Sequence, residues 1–370
     1  MSDYYANTFL FGFPLRKTYF TFAGLFLQAL SMKCSKTFRF RNTSLHIFIN
    51  RYFLYSPLQS VDKCVILDLQ KLFIGGNAMT ADSNIITRDY FDSILLESRY
   101  IDADLPDISF ELFGERFSTP IMTAALSHLH KICDNAMTEI AVGAKNAGAV
   151  HWVGMGEPEE MEAIFATGAR TIRIIKPHAD NNDVLWRIEH AVSHGAFAVG
   201  IDIDHAFAWN GGYDNVLGLP MKPKTLDEIK MFVKAAKVPF VIKGVLSVSD
   251  ALKCVEAGVS GIVVSHHHGI MNYAIPPLQI LPDIVKAVDG RMKIIVDCGI
   301  ESGMDVFKAL ALGADCVCVG RNLMDPLKDG AAGVTDRINQ LNTELSTVMA
   351  RTGFKKLSEI DSSVIHYRRA

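Results

Sequence analysis

The sequence has no Cys-x-x-Cys pair, no apolar run long enough for a membrane helix and almost no net charge, and each shortage removes a class of function. Its 7 cysteines are scattered, which excludes a zinc ribbon. Cys254, Cys298, Cys316 and Cys318 fall in or beside strongly apolar stretches, so they read as buried free thiols in a reducing, cytoplasmic compartment. A net charge of −3 carries no footprint of a nucleic-acid partner. The apolar stretch at residues 19–30 is shorter than the roughly 20 residues that cross a bilayer, so no membrane partner is expected. What the chain does have is apolar mass, 49% hydrophobic against 21% charged over 370 residues, enough for a large core.

The first 78 residues differ from the rest. They hold nine Lys or Arg against three Asp, a net of +6 that leaves −9 for the remainder, and 11 of the 22 Phe. Three origins are open for this extension. Ile74-Gly75-Gly76-Asn77-Ala78 directly before Met79 is what an in-frame reading of a purine-rich ribosome-binding sequence gives, which points to an upstream mis-start. A disordered or interfacial extension and a signal or anchor segment are the alternatives. The domain expectation is therefore an extension at 1–78 and a single folded domain at 79–370.

Within that domain, short β-branched runs end in polar residues beside glycine. Pro239-Phe240-Val241-Ile242 stops at Lys243-Gly244, and Gly261-Ile262-Val263-Val264 stops at Ser265-His266-His267-His268-Gly269. Lys293-Ile294-Ile295-Val296 stops at Asp297-Cys298-Gly299, and Cys316-Val317-Cys318-Val319 stops at Gly320-Arg321. Runs without polar alternation are strands covered on both faces. Four more are expected at 119–125, 150–153, 171–175 and 197–202. Helical patterns at 133–147, 157–167, 183–193, 225–236, 249–257 and 303–312 separate them, with a closing helix at 330–351. A short helix at 89–99 and a hairpin at 109–117, turning at Gly114, come first, and the hairpin is placed to plug a barrel. Eight strands alternating with helices make an α/β chain with the (β/α)8 TIM-barrel architecture, whose chemistry sits at the C-terminal strand ends. The Gly- and aromatic-rich loop Trp209-Asn210-Gly211-Gly212-Tyr213 is placed as a lid.

Asp297, Gly299 and Gly303 follow strand seven and Gly320-Arg321 follows strand eight, where barrels form phosphate sites: backbone N–H groups approach the oxygens and arginine offers a fork. The whole set, Lys243-Gly244, Ser265-x-His267, Asp297-x-Gly299-x-x-x-Gly303 and Gly320-Arg321, resembles the FMN-dependent α-hydroxy-acid oxidase and dehydrogenase family over about residues 90–360. The resemblance implies FMN as cofactor and a small-molecule substrate that loses hydride from a CH–OH carbon. It implies that Lys243 supplies a charge where the reduced flavin becomes anionic. It also makes His267 the base that takes the hydroxyl proton, with His268-Gly269 as a rival register because the family's histidine precedes glycine. Ser265 belongs to the same implied cofactor set, and Ala124 and Ala125 set main chain against the flavin edge.

The departures are as informative. Lys176 and His178 stand where the family usually has glutamine and a catalytic tyrosine, Asp202 stands where it has threonine, and proline is commoner at Ala125. Lys176 and Asp202 are accordingly expected at the cofactor and His178 at the substrate. Of the two arginines that grip the substrate carboxylate in relatives, one position is Ile270, and no arginine lies between His205 and Lys222. A substrate other than a simple lactate-like acid is expected. A flavin-dependent isomerase and a flavin-binding protein without catalysis are the competing functions, no metal is expected, and assembly into a homo-oligomer is left open.

Overall fold

The computed structural model describes residues 81–368 and two short strands, Thr37–Phe40 and Thr43–His46, that pair antiparallel. The apolar stretch at 19–30 and the Ile74 to Ala78 segment lie outside the described residues. Two compact units divide at Ala78 and Met79, and the second holds the site.

Eight parallel strands make up that second unit: β1 Ile121–Thr123, β2 His151–Val153, β3 Thr171–Ile175, β4 Ala198–Asp202, β5 Phe240–Val245, β6 Gly261–Val264, β7 Lys293–Val296 and β8 Cys316–Val319. They are ordered β1-β8-β7-β6-β5-β4-β3-β2. A parallel bridge between Leu126 and Val153, with Gly154 N donating to Leu126 O at 2.9 Å, brings β2 back beside β1. The expected (β/α)8 barrel is what forms. Helices α1 Ala136–Asn146, α2 Pro158–Ala166, α3 Asn181–Ser193, α4 Leu226–Ala236, α5 Val248–Glu256, α6 Pro277–Val288, α7 Gly303–Ala311 and α8 Gly330–Thr352 surround it. Their starts are written locally: Asp180 and Ser247 accept from the first-turn N–H groups of α3 and α5, and Thr225 with Glu228 and Ser302 with Asp305 form capping boxes for α4 and α7.

Alternate strand residues fill the barrel interior, among them Met122, Trp152, Ile172, Ile174, Val241, Val263 and Ile295, all buried. The hairpin Phe110–Leu112 with Glu115–Phe117 adds Phe110, Leu112 and Phe117 to the same cluster. Phe117 meets the Phe197 ring at 5.6 Å, just ahead of β4, and Glu115 pairs with Arg170, just ahead of β3. The hairpin therefore closes the N-terminal end, and the C-terminal strand ends are left for chemistry.

Two elements differ from expectation. The first helix is Ser83–Ser93, not 89–99, because Asp82 caps it at Asn84 N; Ile94–Leu96 then pairs with Ile365–Tyr367 near the C-terminus. Helix α6 carries Pro276 as cap and Pro282 inside, a residue that usually ends helices, so its pattern is hidden in the sequence. No helix among the described residues is long and apolar enough to cross a membrane.

Candidate active site

The charged centre starts at the end of β5. A β-bulge between Lys243 and Val245 turns the strand end inward, and Gly244 at φ +91° admits Asp204: a Cβ there would stand 2.6 Å from the Asp204 Oδ2. Lys243 is 5% exposed. Its Nζ lies 3.8 Å from Asp202 Oδ1, 3.7 Å from Asp297 Oδ2 and 3.2 Å from His267 Nδ1. Burial works against the charged lysine, but Asp202, Asp297 and Asp204 outweigh it and hold the ammonium well above its ordinary pKa. Burial likewise opposes the Asp202 carboxylate, and Lys243 and Lys176 overcome it, keeping Asp202 well below the usual carboxylate range.

The three consecutive histidines are separated by a left-handed turn, with φ of +47° at His267, +56° at His268 and +81° at Gly269. This turn is what splays their side chains. The buried His266 ring meets Thr87 Oγ1 at 2.8 Å and accepts from Gly269 N at 2.9 Å. His268 turns outward to Asn84 Oδ1 at 2.5 Å. His267 alone of the three enters the charged cluster, its N–H tied to Ser265 Oγ at 3.1 Å. Its Nδ1 donates to Asp204 Oδ1 at 2.8 Å and lies 3.3 Å from Asp202 Oδ2. Burial alone would lower its pKa, but the bonds to Asp202 and Asp204 raise it above the ordinary value. Burial and the neighbouring Asp202 push Asp204 up to about 6. On the far side, His205 Nε2 faces His267 Nε2 at 3.2 Å, and His205 Nδ1 lies 3.3 Å from Asp214 Oδ2. Burial, Lys176 and His267 lower His205 to about 4.

A cavity of about 680 Å³ opens over Lys243 and His267. Ala124, Ala125, Asp297, Gly299, Gly320 and Arg321 line it. The other candidates sit differently. Ser265 anchors the His267 backbone and Lys176 Nζ donates to Asp202 Oδ2 at 2.7 Å, and neither lines the cavity. His178 is not gathered with His267: it is buried beside Asp183 in a separate cavity off β3, and burial lowers it to about 4. Gly303 leaves the phosphate reading altogether. Its N–H goes to Glu344 Oε2 at 2.7 Å, and a Cβ would stand 2.3 Å from the Leu345 backbone nitrogen, so the missing side chain serves the α7–α8 contact.

Sequence reasoning missed Asp204 and His205 as partners of His267, and Asp214 as the partner of His205. Asp204 carried one signal, its place two residues past Asp202 at the same strand end. Asp214 returns from a loop and carried none.

The sequence model of the FMN-dependent dehydrogenase family matches residues 70–226 and 216–367. The chain belongs to this family. Its FMN dependence makes FMN the cofactor, and the large cavity fits it: small residues Ala124, Ala125, Gly299 and Gly320 allow a ring and phosphate close approach, and Arg321 and Lys243 add positive charge to the lining. The chain is 38% identical over 169 residues to the L-lactate oxidase of Nostoc sp., 45% of this chain and 46% of that protein. That alignment spans about half of the relative's length. Longer alignments reach glycolate oxidase 3 of Arabidopsis thaliana, 30% identical over 75% of this chain and 86% of that protein, and 2-hydroxyacid oxidase 2 of Homo sapiens, 28% over 80% and 93%. Among solved structures, mandelate oxidase superposes with a TM-score of 0.71 at 26% identity, covering 80% of this chain and 92% of that one.

Proposed function

We propose that this chain is an FMN-dependent oxidoreductase that oxidises the CH–OH carbon of a hydroxylated small molecule, with His267 as general base. The observation that carries this is His267, held by Asp204 and Ser265, lining the same cavity as Lys243. FMN, when bound, accepts the hydride. Asp204 and Asp202 orient the imidazole through Nδ1 and stabilise the charge it gains when Nε2, which substrate must take over from His205, receives the hydroxyl proton. Lys243 holds a fixed positive charge under the cavity, where the pair Asp202 and Asp297 keeps it protonated. Ala124, Ala125, Gly299, Gly320 and Arg321 would hold the cofactor.

Beside Asp204 a recess of about 420 Å³ is walled by Phe207, Trp209, Leu246, Ile270 and Met271. No arginine lines it among the described residues, which favours a substrate with an apolar body over a lactate-like acid. The free thiols Cys254, Cys316 and Cys318 suit the cytoplasm. In the test, His267→Ala keeps the yellow protein and its FMN, while anaerobic flavin reduction by the best of a panel of hydroxy compounds falls on the order of 10² to 10⁴. Reduction at the parent rate would sink the assignment and move the isomerase or the non-catalytic flavin binder ahead.

A further inference from the structure

A second cavity, of about 90 Å³, lies off β3, lined by Arg173, Lys176, His178, Arg187 and the turn Gly154 to Glu157. It shares no lining residue with the large cavity. Arg173 lies between Ile172 and Ile174, which fill the barrel interior, so its side chain leaves by the other face. It is 2% exposed, and its Nε and Nη1 are buried without a hydrogen-bond partner. Its backbone pairs with β2 and β4, at Val153 and Val199, so it cannot withdraw. Burial and Arg187 lower its pKa to about 10, with Asp183 offsetting only part of this, which leaves the guanidinium charged at neutral pH. A buried charge without a hydrogen-bonded counter-ion is strongly unfavourable.

The neighbouring carboxylates are committed elsewhere. Asp183 Oδ2 accepts from Arg187 Nε at 3.2 Å and lies 3.4 Å from His178 Nδ1. Asp202 holds Lys176 at 2.7 Å, and Glu157 is on the exposed rim. Lys224 gives its ammonium to His178 O and Asn181 Oδ1. The balance inside is positive, and the uncompensated member is aimed into a space of about three water volumes.

We propose that this cavity binds a small oxyanion, a carboxylate or phosphate group, gripped by Arg173 and Arg187. Two planar guanidinium groups present forks matched to such a group. The anion can arrive as the tail of the substrate or as a separate ligand. The first route is short, since Lys176 in the wall touches Asp202, and Asp202 Oδ2 lies 3.3 Å from His267 Nδ1.

The FMN-loaded full chain, whose flavin phosphate site is filled, is titrated with inorganic phosphate in a calorimeter at constant ionic strength, with sodium chloride as reference. Saturable binding is expected, weakened roughly tenfold or more by Arg187→Gln and abolished by Arg173→Met. Arg173→Met should melt no lower than the parent in anion-free buffer, because an apolar chain replaces an unpaired buried charge. If that variant does not fold, Arg187→Gln carries the test alone. Phosphate that competes with a flavin-reducing hydroxy acid marks the cavity as the seat of the substrate's own anionic group, and phosphate that binds without competing marks a separate ligand. No saturable heat beyond chloride, or binding undiminished in Arg187→Gln, overturns the proposal. The readout needs no flavin reduction, so a protein that binds phosphate but never bleaches would overturn only the catalytic reading.

Discussion

At the residue scale the centre is a balance of three carboxylates, Asp202, Asp204 and Asp297, against Lys243, Lys176 and His267. Removing one member leaves its partners buried and unpaired. Lys243→Met is therefore expected to cost about 3–5 kcal/mol of stability, read by denaturant melts, as well as slowing flavin reduction; an unchanged melt would show the ammonium to be dispensable to the cluster. The pH response has a definite sign. His267 acts as base only when neutral and its pKa is raised, so the reduction rate should climb with pH through a value above about 6.5. Asp204→Asn removes one of the two carboxylates that hold the proton, so this limb should move to lower pH while the plateau falls. Stopped-flow reduction across pH measures both, and a limb that stays in place would mean Asp202 alone sets the histidine. Linkage runs the same way: the contribution of protonated His267 is full below about 6.5 and is lost as pH rises through the raised value. Asp204, at about 6, also withdraws stability as pH rises from its ordinary range to that value.

Elements made the candidate site readable, and also set where reading stopped. Lys243 and His267 were legible because each follows an uninterrupted β-branched run, and in a barrel such a run ends at the chemical face. Asp214 and His205 were not, since their partnership depends on the loop after β4 folding back on its own start, with Asp214 N donating to Ala206 O. Gly303 was misread for a related reason: a glycine announces a close approach without saying of what, and here it is α8. Gly303→Ala should therefore drive a methyl into the Leu345 backbone nitrogen and the Glu344 side chain. A loss of about 1–3 kcal/mol in denaturant melts is expected, with FMN affinity at saturating stability little changed. A phosphate-binding role would give the reverse, weak FMN binding in a protein of parental stability. Helix α6 was hidden by Pro282, whose missing N–H falls where one helical bond can be given up while Leu278, Leu281 and Ile284 stay buried.

For the whole molecule, the alternation of strand and helix from residue 119 onward was enough to give the barrel, because two-sided burial writes itself into composition. Its closure between β1 and β2 through Leu126 and Val153 was not visible, since a single bridge leaves no pattern. All eight strands, the hairpin plug and each residue of both charged cavities fall within residues 81–368. The division between the two units falls at Ala78 and Met79, so the barrel and both cavities belong to the second unit. We therefore propose that a chain beginning at Met79 folds and binds one FMN as the full chain does. Domains with their own core fold independently, and the hairpin already seals the N-terminal end of this one. Paired thermal melts and flavin titrations of the two lengths decide it. A markedly lower melting temperature or weakened FMN binding after truncation would show that residues 1–78 contribute to the barrel and would remove the mis-start reading of that segment.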